Sequence, residues 1–211
     1  MSVRSERRSS ERAKAVYRLV KVEYGDDEGV ARCRNISDGG MRLDLNMPLA
    51  VGDYVNIVFV PAVELRARVI WADSGHCGVA FERKIDSAAL LEQTGHLSPL
   101  DRAVRLRTRL PAQVMADGKV CPTVATHVSL YGLIVMHGGL LRADCDVLVA
   151  LGFTRRISAV VRWSKGNLAG LLLLEPFCVE ELGSIRAFES AIGAHGYAPP
   201  PRIAQISQII E

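Results

Sequence analysis

Hydrophobic and polar residues alternate along most of this chain with a period of two. Leu65, Ala67, Val69 and Trp71 are interleaved with Arg66 and Arg68, and Met41, Leu43 and Leu45 with Arg42 and Asp44. Such alternation sends one set of side chains into a core and the other into water, as in strands with one buried face. It predicts strands over 16–24, 30–36, 40–45, 54–60, 63–72 and 77–82, separated by turn-forming Gly25-Asp26-Asp27, Asp38-Gly39-Gly40, Gly52-Asp53 and Ser74-Gly75. Six short strands with tight turns favour a closed antiparallel barrel, because closure leaves no exposed edge. A helix over 85–95 follows, with Asp86 and Ser87 as N-cap candidates and Gly95 as its stop.

The pattern then repeats at an offset of 92 residues, where Ser37 falls on Ser129, Gly40 on Gly132, Trp71 on Trp163 and Gly78 on Gly170. Strands are expected over 105–115, 120–128, 132–136, 146–152, 156–163 and 168–174. A helix over 178–193 carries Ile185, Phe188 and Ile192 on one face. The fold class is therefore mainly β: two tandem six-stranded antiparallel β-barrels, each followed by an α-helix. Domain limits fall at 1–97 and 98–197, with a tail at 198–211 whose Ile203, Ile206, Ile209 and Ile210 form an apolar stripe suited to docking on the body or on a partner. Both Trp residues read as barrel-core residues.

Composition changes this picture little. With 49% hydrophobic and 23% charged residues the chain is an ordinary globular sequence. No apolar run approaches the roughly 20 residues of a membrane span, and the polar, Arg-rich start is not a secretory signal. The five cysteines form no Cys-x-x-Cys pair; they read as buried free thiols of a cytoplasmic protein. Charge is more informative. Residues 1–14 hold five basic side chains (Arg4, Arg7, Arg8, Arg12, Lys14) and two acidic ones (Glu6, Glu11), which accounts for the whole net charge of +3. A basic arm on a neutral body suits an anionic partner.

Candidate chemistry is sparse. The sequence contains no phosphate loop, no His-Glu-x-x-His, no nucleophile elbow and no dinucleotide fingerprint, and its five histidines lack metal-ligand spacing. Neither an enzyme, a metal site nor a cofactor is expected. What remains is Arg8-Ser-Ser-Glu-Arg12, followed about 25 residues later by Asn35-Ile-Ser37-Asp-Gly39-Gly40. Each piece is ordinary alone: one fits a solvated arm, the other a plain turn.

Together they resemble the PilZ domain, a family of cyclic di-GMP receptors marked by Arg-x-x-x-Arg and [Asp/Asn]-x-Ser-x-x-Gly. The segment from Arg68 through Glu82 is similar to the end of a PilZ barrel. The resemblance covers about 4–95, and 102–178 in degraded form. It implies that Arg8 and Arg12 bind guanine and phosphate, that Asn35, Ser37, Gly39 and Gly40 line the pocket, and that Arg7 goes with a stacked, intercalated ligand dimer. The residue types suit the ligand. A guanidinium is bidentate toward phosphate or the O6/N7 edge of guanine, Asn35 offers both a donor and an acceptor, and Gly40 lets backbone approach a flat ligand.

In the second unit His127 stands at the Asn35 position, Arg12 maps to Val104, and Arg109 is aligned with Arg18. This unit is expected to bind no nucleotide and to pack on the first barrel, form a homodimer or present a surface to an effector protein. The expected function is cyclic di-GMP reception, with signal relay to an unidentified protein partner. The alternative is a ligand-independent adaptor. Nucleic-acid binding is not expected, since no surface aromatics or basic groove accompany the arm.

Overall fold

The computed structural model describes residues 14–59, 63–95, 103–152 and 155–193. The first barrel comprises β1 (Lys14–Tyr24), β2 (Asp27–Ser37), β3 (Gly40–Asp44), β4 (Tyr54–Phe59), β5 (Val63–Asp73) and β6 (His76–Phe81), followed by α1 (Ser87–Gly95). The second comprises β7 (Leu106–Ala116), β8 (Lys119–Ser129), β9 (Gly132–Met136), β10 (Asp146–Leu151), β11 (Arg155–Lys165) and β12 (Leu168–Leu173), followed by α2 (Ile185–Gly193). Each is closed and antiparallel, in the order β1-β2-β3-β6-β5-β4 and its copy β7-β8-β9-β12-β11-β10. Inward positions carry the alternating apolar set: Val20, Val22, Leu43, Ile57, Val69 and Val79 in the first barrel, and Leu106, Val114, Val135, Val149, Ile157 and Val161 in the second. The Arg7, Arg8 and Arg12 arm and the isoleucine-rich tail lie outside the described residues.

The offset of 92 holds down to hydrogen-bond register. Ser37 pairs with Gly40 as Ser129 does with Gly132, and Trp71 faces Gly78 as Trp163 faces Gly170. Three β-bulges recur at matching places, between Ala15 and Arg18, Cys33 and Asn35, and Val69 and Trp71, against Arg107/Leu110, Ala125/His127 and Val161/Trp163.

This register corrects two expectations. Ala15 pairs with Asn35 and Arg107 with His127, so Arg109 is equivalent to Tyr17, and Leu110 rather than Arg109 stands where Arg18 does. The tryptophans are not core residues: Trp71 is 38% and Trp163 42% exposed. The bulge after Val69 inserts one residue, which breaks the phase of the alternation and turns the next large side chain outward.

The helix expected from 178 begins at Ile185. Residues 177–184 instead wedge between the barrels, burying Phe177, Val179 and Leu182. Leu182 O accepts the Val30 N–H at 2.7 Å. Gly183 lies so close to β3's continuation that an added Cβ would sit 2.7 Å from Asn46 N. The helix is capped from both barrels. Ser184 Oγ accepts the Ala187 N–H at 3.1 Å, and Asp27, at the head of β2, accepts the Ser184 hydroxyl at 2.6 Å and the Arg186 N–H at 3.2 Å. Phe188 meets Phe177 edge-on, with ring centroids 5.2 Å apart. Val30 of β2 belongs to the second barrel's core, and Arg107 N–H donates to Glu28 at 2.8 Å. The barrels are docked through β2, β7 and α2.

Cys33, Cys77 and Cys121 are buried, Cys145 is half-buried and Cys178 is exposed, so the expectation of buried thiols fails at Cys178; none is bridged. Burial pushes the Cys33 and Cys77 thiols up to about 11, which keeps them protonated core groups at neutral pH. No helix among the described residues is long and apolar enough to cross a membrane.

Because Asp27 satisfies two donors at the joint and is itself buried, Asp27→Ala is expected to destabilise the docked pair by about 1–3 kcal/mol, and Asp27→Asn by less. Urea denaturation followed by far-UV circular dichroism checks this.

Candidate functional site

The groove lined by Asn35, Ser37, Gly39 and Gly40 lies on the outer face of the first barrel, over β2, β3, β6 and β5, with a volume of about 400 Å³. Its floor is a single transverse row. Asn35 pairs with Arg42, Arg42 with Gly78 and Gly78 with Trp71, so four residues on four strands lie side by side. The bulge between Cys33 and Asn35 phases the row on β2, and the bulge before Trp71 does so on β5. Trp71 lies flat over Gly78, where an added Cβ would come within 2.0 Å of the indole Nε1. The Arg42 guanidinium stands 5.7 Å from the centre of the Trp71 ring, within cation–π range. The result is an exposed aromatic plate with a cation over it and an amide at the far end of the row.

The β2–β3 turn at one end of this row is held rigidly. Ser37 Oγ donates to Gly40 O at 3.3 Å. Asp38 accepts from the Ser87 N–H at 3.0 Å and from the Ser87 hydroxyl at 2.7 Å, Ile85 N–H donates to Asp38 O, and Phe81 N–H donates to Gly39 O. Asp86 Oδ1 caps α1 through the Ala89 N–H at 2.8 Å. The turn is thus fastened to the helix that follows the barrel.

Four of the seven expected site residues therefore share one groove; Arg7, Arg8 and Arg12 lie outside the described residues. The reading of Gly40 changes. Its missing Cβ would stand 2.2 Å from Val79 O, pointing across the sheet rather than toward the groove. Gly40 lines the groove, but its small size is required by the close approach of β3 to β6. Gly39 has open space around it, and it is the glycine that leaves the groove mouth clear. Trp71 and Arg42 were missed from the sequence, because period-two alternation carried through Val69 assigns Trp71 to the core. The signal that could have found them is Gly78, a small residue in a strand beside a large aromatic, which marks a bulge or close packing.

Behind the row, Arg34 is ion-paired with Asp44 and stacks 5.4 Å from the Tyr17 ring, while His76 Nδ1 hydrogen-bonds Asp44 at 2.8 Å. Burial raises the Asp44 carboxyl, but hydrogen bonds from Arg34 and His76 outweigh it and hold the group below its ordinary 3.8. A second cleft of about 570 Å³, at the barrel junction, is lined by Glu23, Asp26, Asp27 and Glu28 against Arg66 and Arg107. That acidic lining disfavours an anion. Among the described residues no cluster of three potential metal ligands occurs.

Residues 6–94 match the family model described as PilZ domain, which spans the first barrel and nearly all of α1. A search of curated proteins finds no match. Among solved structures, the chain is similar to the Borreliella burgdorferi PlzA protein in complex with c-di-GMP, at 10% identity over 75% of this chain and 81% of that one, with a TM-score of 0.31. It is also similar to the Bacillus subtilis inhibitor of motility MotI/DgrA, at 14% identity over 85% and 96% with a TM-score of 0.31. A third is the K. pneumonia MrkH–c-di-GMP complex, at 10% identity over 82% and 86% with a TM-score of 0.31.

The two turn glycines differ in what surrounds them. Gly40→Ala is expected to lower the melting temperature, because Val79 O blocks the new methyl, whereas Gly39→Ala leaves it unchanged. Asp44→Asn is expected to cost stability at pH 7. Since the Asp44 value is lowered on folding, its contribution is present above 3.8 and lost as pH falls through the lowered value. Urea titrations of wild type and variant should therefore converge in acid.

Proposed function

We propose that this chain, whose residues 6–94 match the PilZ domain model, is a non-enzymatic cyclic di-GMP receptor that binds the nucleotide on the outer face of its first barrel. The observation that carries this reading is the row Asn35–Arg42–Gly78–Trp71 beside the fastened Ser37–Gly40 turn. Guanine is flat and presents a donor and acceptor edge. The indole of Trp71 offers it a stacking surface, worth roughly 1–3 kcal/mol per base, and the Asn35 amide offers the edge contact. Arg42 adds positive charge over the same ring.

Reach supports a role for the arm. Lys14 pairs with Ile36 and Ala15 with Asn35, so β1 enters the barrel next to the turn. At about 3.3 Å per residue, Arg12 lies within ~7 Å of Lys14 and Arg8 within ~20 Å. Both guanidinium groups could then close over the groove and supply bidentate contacts to phosphate and guanine that lysine could not. Arg7 beside them supports two stacked nucleotides per chain. Bound nucleotide would fasten the arm to β2. Because the other end of β2 holds the second barrel through Asp27 and Val30, the signal would pass through that strand to a protein partner.

In the second barrel His127, Ile134 and Tyr131 replace Asn35, Arg42 and Gly39. The reading assigns it no nucleotide.

Calorimetric titration with cyclic di-GMP, GTP, cyclic GMP and a short oligonucleotide tests the proposal. Saturable binding of cyclic di-GMP alone is expected, at two nucleotides per chain. Arg8→Ala and Arg12→Ala should each weaken it by roughly 2 kcal/mol or more, and Trp71→Ala by about 1–3 kcal/mol. In a Trp163→Phe background the remaining Trp71 emission should change on binding. Absence of saturable binding, or full-strength binding in Arg8→Ala, would refute the reading.

A further inference from the structure

The groove over β5, β6, β3 and β2 has a counterpart on the second barrel, over β11, β12, β9 and β8. Identical register allows comparison position by position. The scaffold is kept: Ser129 Oγ donates to Gly132 O at 3.1 Å, and the Trp163 indole lies over Gly170. The surface built on it is different. Arg42 becomes Ile134, Arg68 becomes Val160, Ala80 becomes Leu172, Glu82 becomes Leu174, and Gly39 becomes Tyr131. These positions are contiguous, since Leu172 pairs with both Gly132 and Val160, and Leu173 N–H donates to Tyr131 O.

Tyr131 and Leu174 are each 60% exposed, Trp163 42% and Leu172 36%. Large apolar side chains that gather on one face of a closed barrel, away from its core, mark an interaction surface. Their exposure is not a by-product of folding, because the first barrel builds the same strands with charged or small residues in most of these places.

Charge at the rim indicates what covers the patch. Arg107 is the cross-strand neighbour of His127, Arg162 stands at the bulge beside Trp163, and Arg105 and Lys165 are exposed at the ends of the same face. Arg107 also borders the acidic junction cleft beside Glu28, so the basic excess of this rim rests on Arg105, Arg162 and Lys165 against Glu175. A second copy of the chain, docked by two-fold symmetry, would bring like-charged rims together. We propose that this face docks an acidic amphipathic segment of a partner protein. Its apolar side chains lie on Trp163, Leu172 and Tyr131, and its carboxylates on Arg105 and Arg162. The inference stands independently of what the first barrel binds.

The test is selection of a random phage-displayed peptide library on the full-length chain. Enriched peptides are expected to combine Asp or Glu with aromatic or aliphatic residues. A synthetic copy of the most enriched peptide should bind about tenfold or more weakly to Leu172→Glu, to Trp163→Ala and to Arg162→Glu, and more weakly as salt rises. Arg162 and Leu172 face solvent, so Arg162→Glu and Leu172→Glu should melt like wild type, and all three variants should still bind cyclic di-GMP unchanged. Enriched peptides without acidic residues, or binding that survives Leu172→Glu, overturn the proposal. So does a concentration-dependent dimer in sedimentation, or binding to anionic phospholipid vesicles, if Leu172→Glu abolishes it.

Discussion

One inserted residue in β5 governs the face on which the candidate site lies. Up to Val69 the strand obeys strict alternation, and its apolar side chains fill the barrel. At the bulge the phase breaks, and Trp71 emerges on the outer surface over Gly78. Without the bulge the indole would compete for core volume already filled at close-packed density, and the row joining Asn35, Arg42, Gly78 and Trp71 would have no aromatic end. The same device in β11 exposes Trp163 on Gly170.

Strand β2 joins this site to the rest of the molecule. Its C-terminal half carries Asn35 and Ser37; its N-terminal half carries Asp27, Glu28 and Val30, which cap α2, hold Arg107 and enter the second barrel's core. The bulge between Cys33 and Asn35 lies between the two halves. The candidate site on one barrel and the packing against the other are thus carried by a single element of 11 residues.

The duplicated scaffold separates what a barrel requires from what a surface does. Ser-x-x-Gly turns, Trp on Gly, and three bulges are common to both halves, and each has a packing reason: Gly40 and Gly132 meet a carbonyl of the neighbouring strand, and Gly78 and Gly170 meet an indole. Asn35, Gly39, Arg42 and Ala80 differ from His127, Tyr131, Ile134 and Leu172. None of these outward positions is needed to close the barrel, so chemistry varies there while the fold stays constant.

The amino-acid sequence by itself determined the number, order and approximate limits of the twelve strands and the offset of 92 between the halves, because period-two alternation and turn residues are local properties. It also placed Asn35, Ser37, Gly39 and Gly40 together around the β2–β3 turn. Only the tertiary structure decided the phase of β5 beyond Val69, the close approach of Gly40 to Val79, and the turn at 179–182 that precedes α2. Each of these depends on a contact that alternation along the chain does not show: the Gly78 backbone for Trp71, the Val79 carbonyl for Gly40, and Val30 with Asn46 for Leu182 and Gly183. Alternation specifies which side a residue takes relative to its neighbours in the chain. An unpaired register position resets that choice, and it exists only once two strands are hydrogen-bonded together.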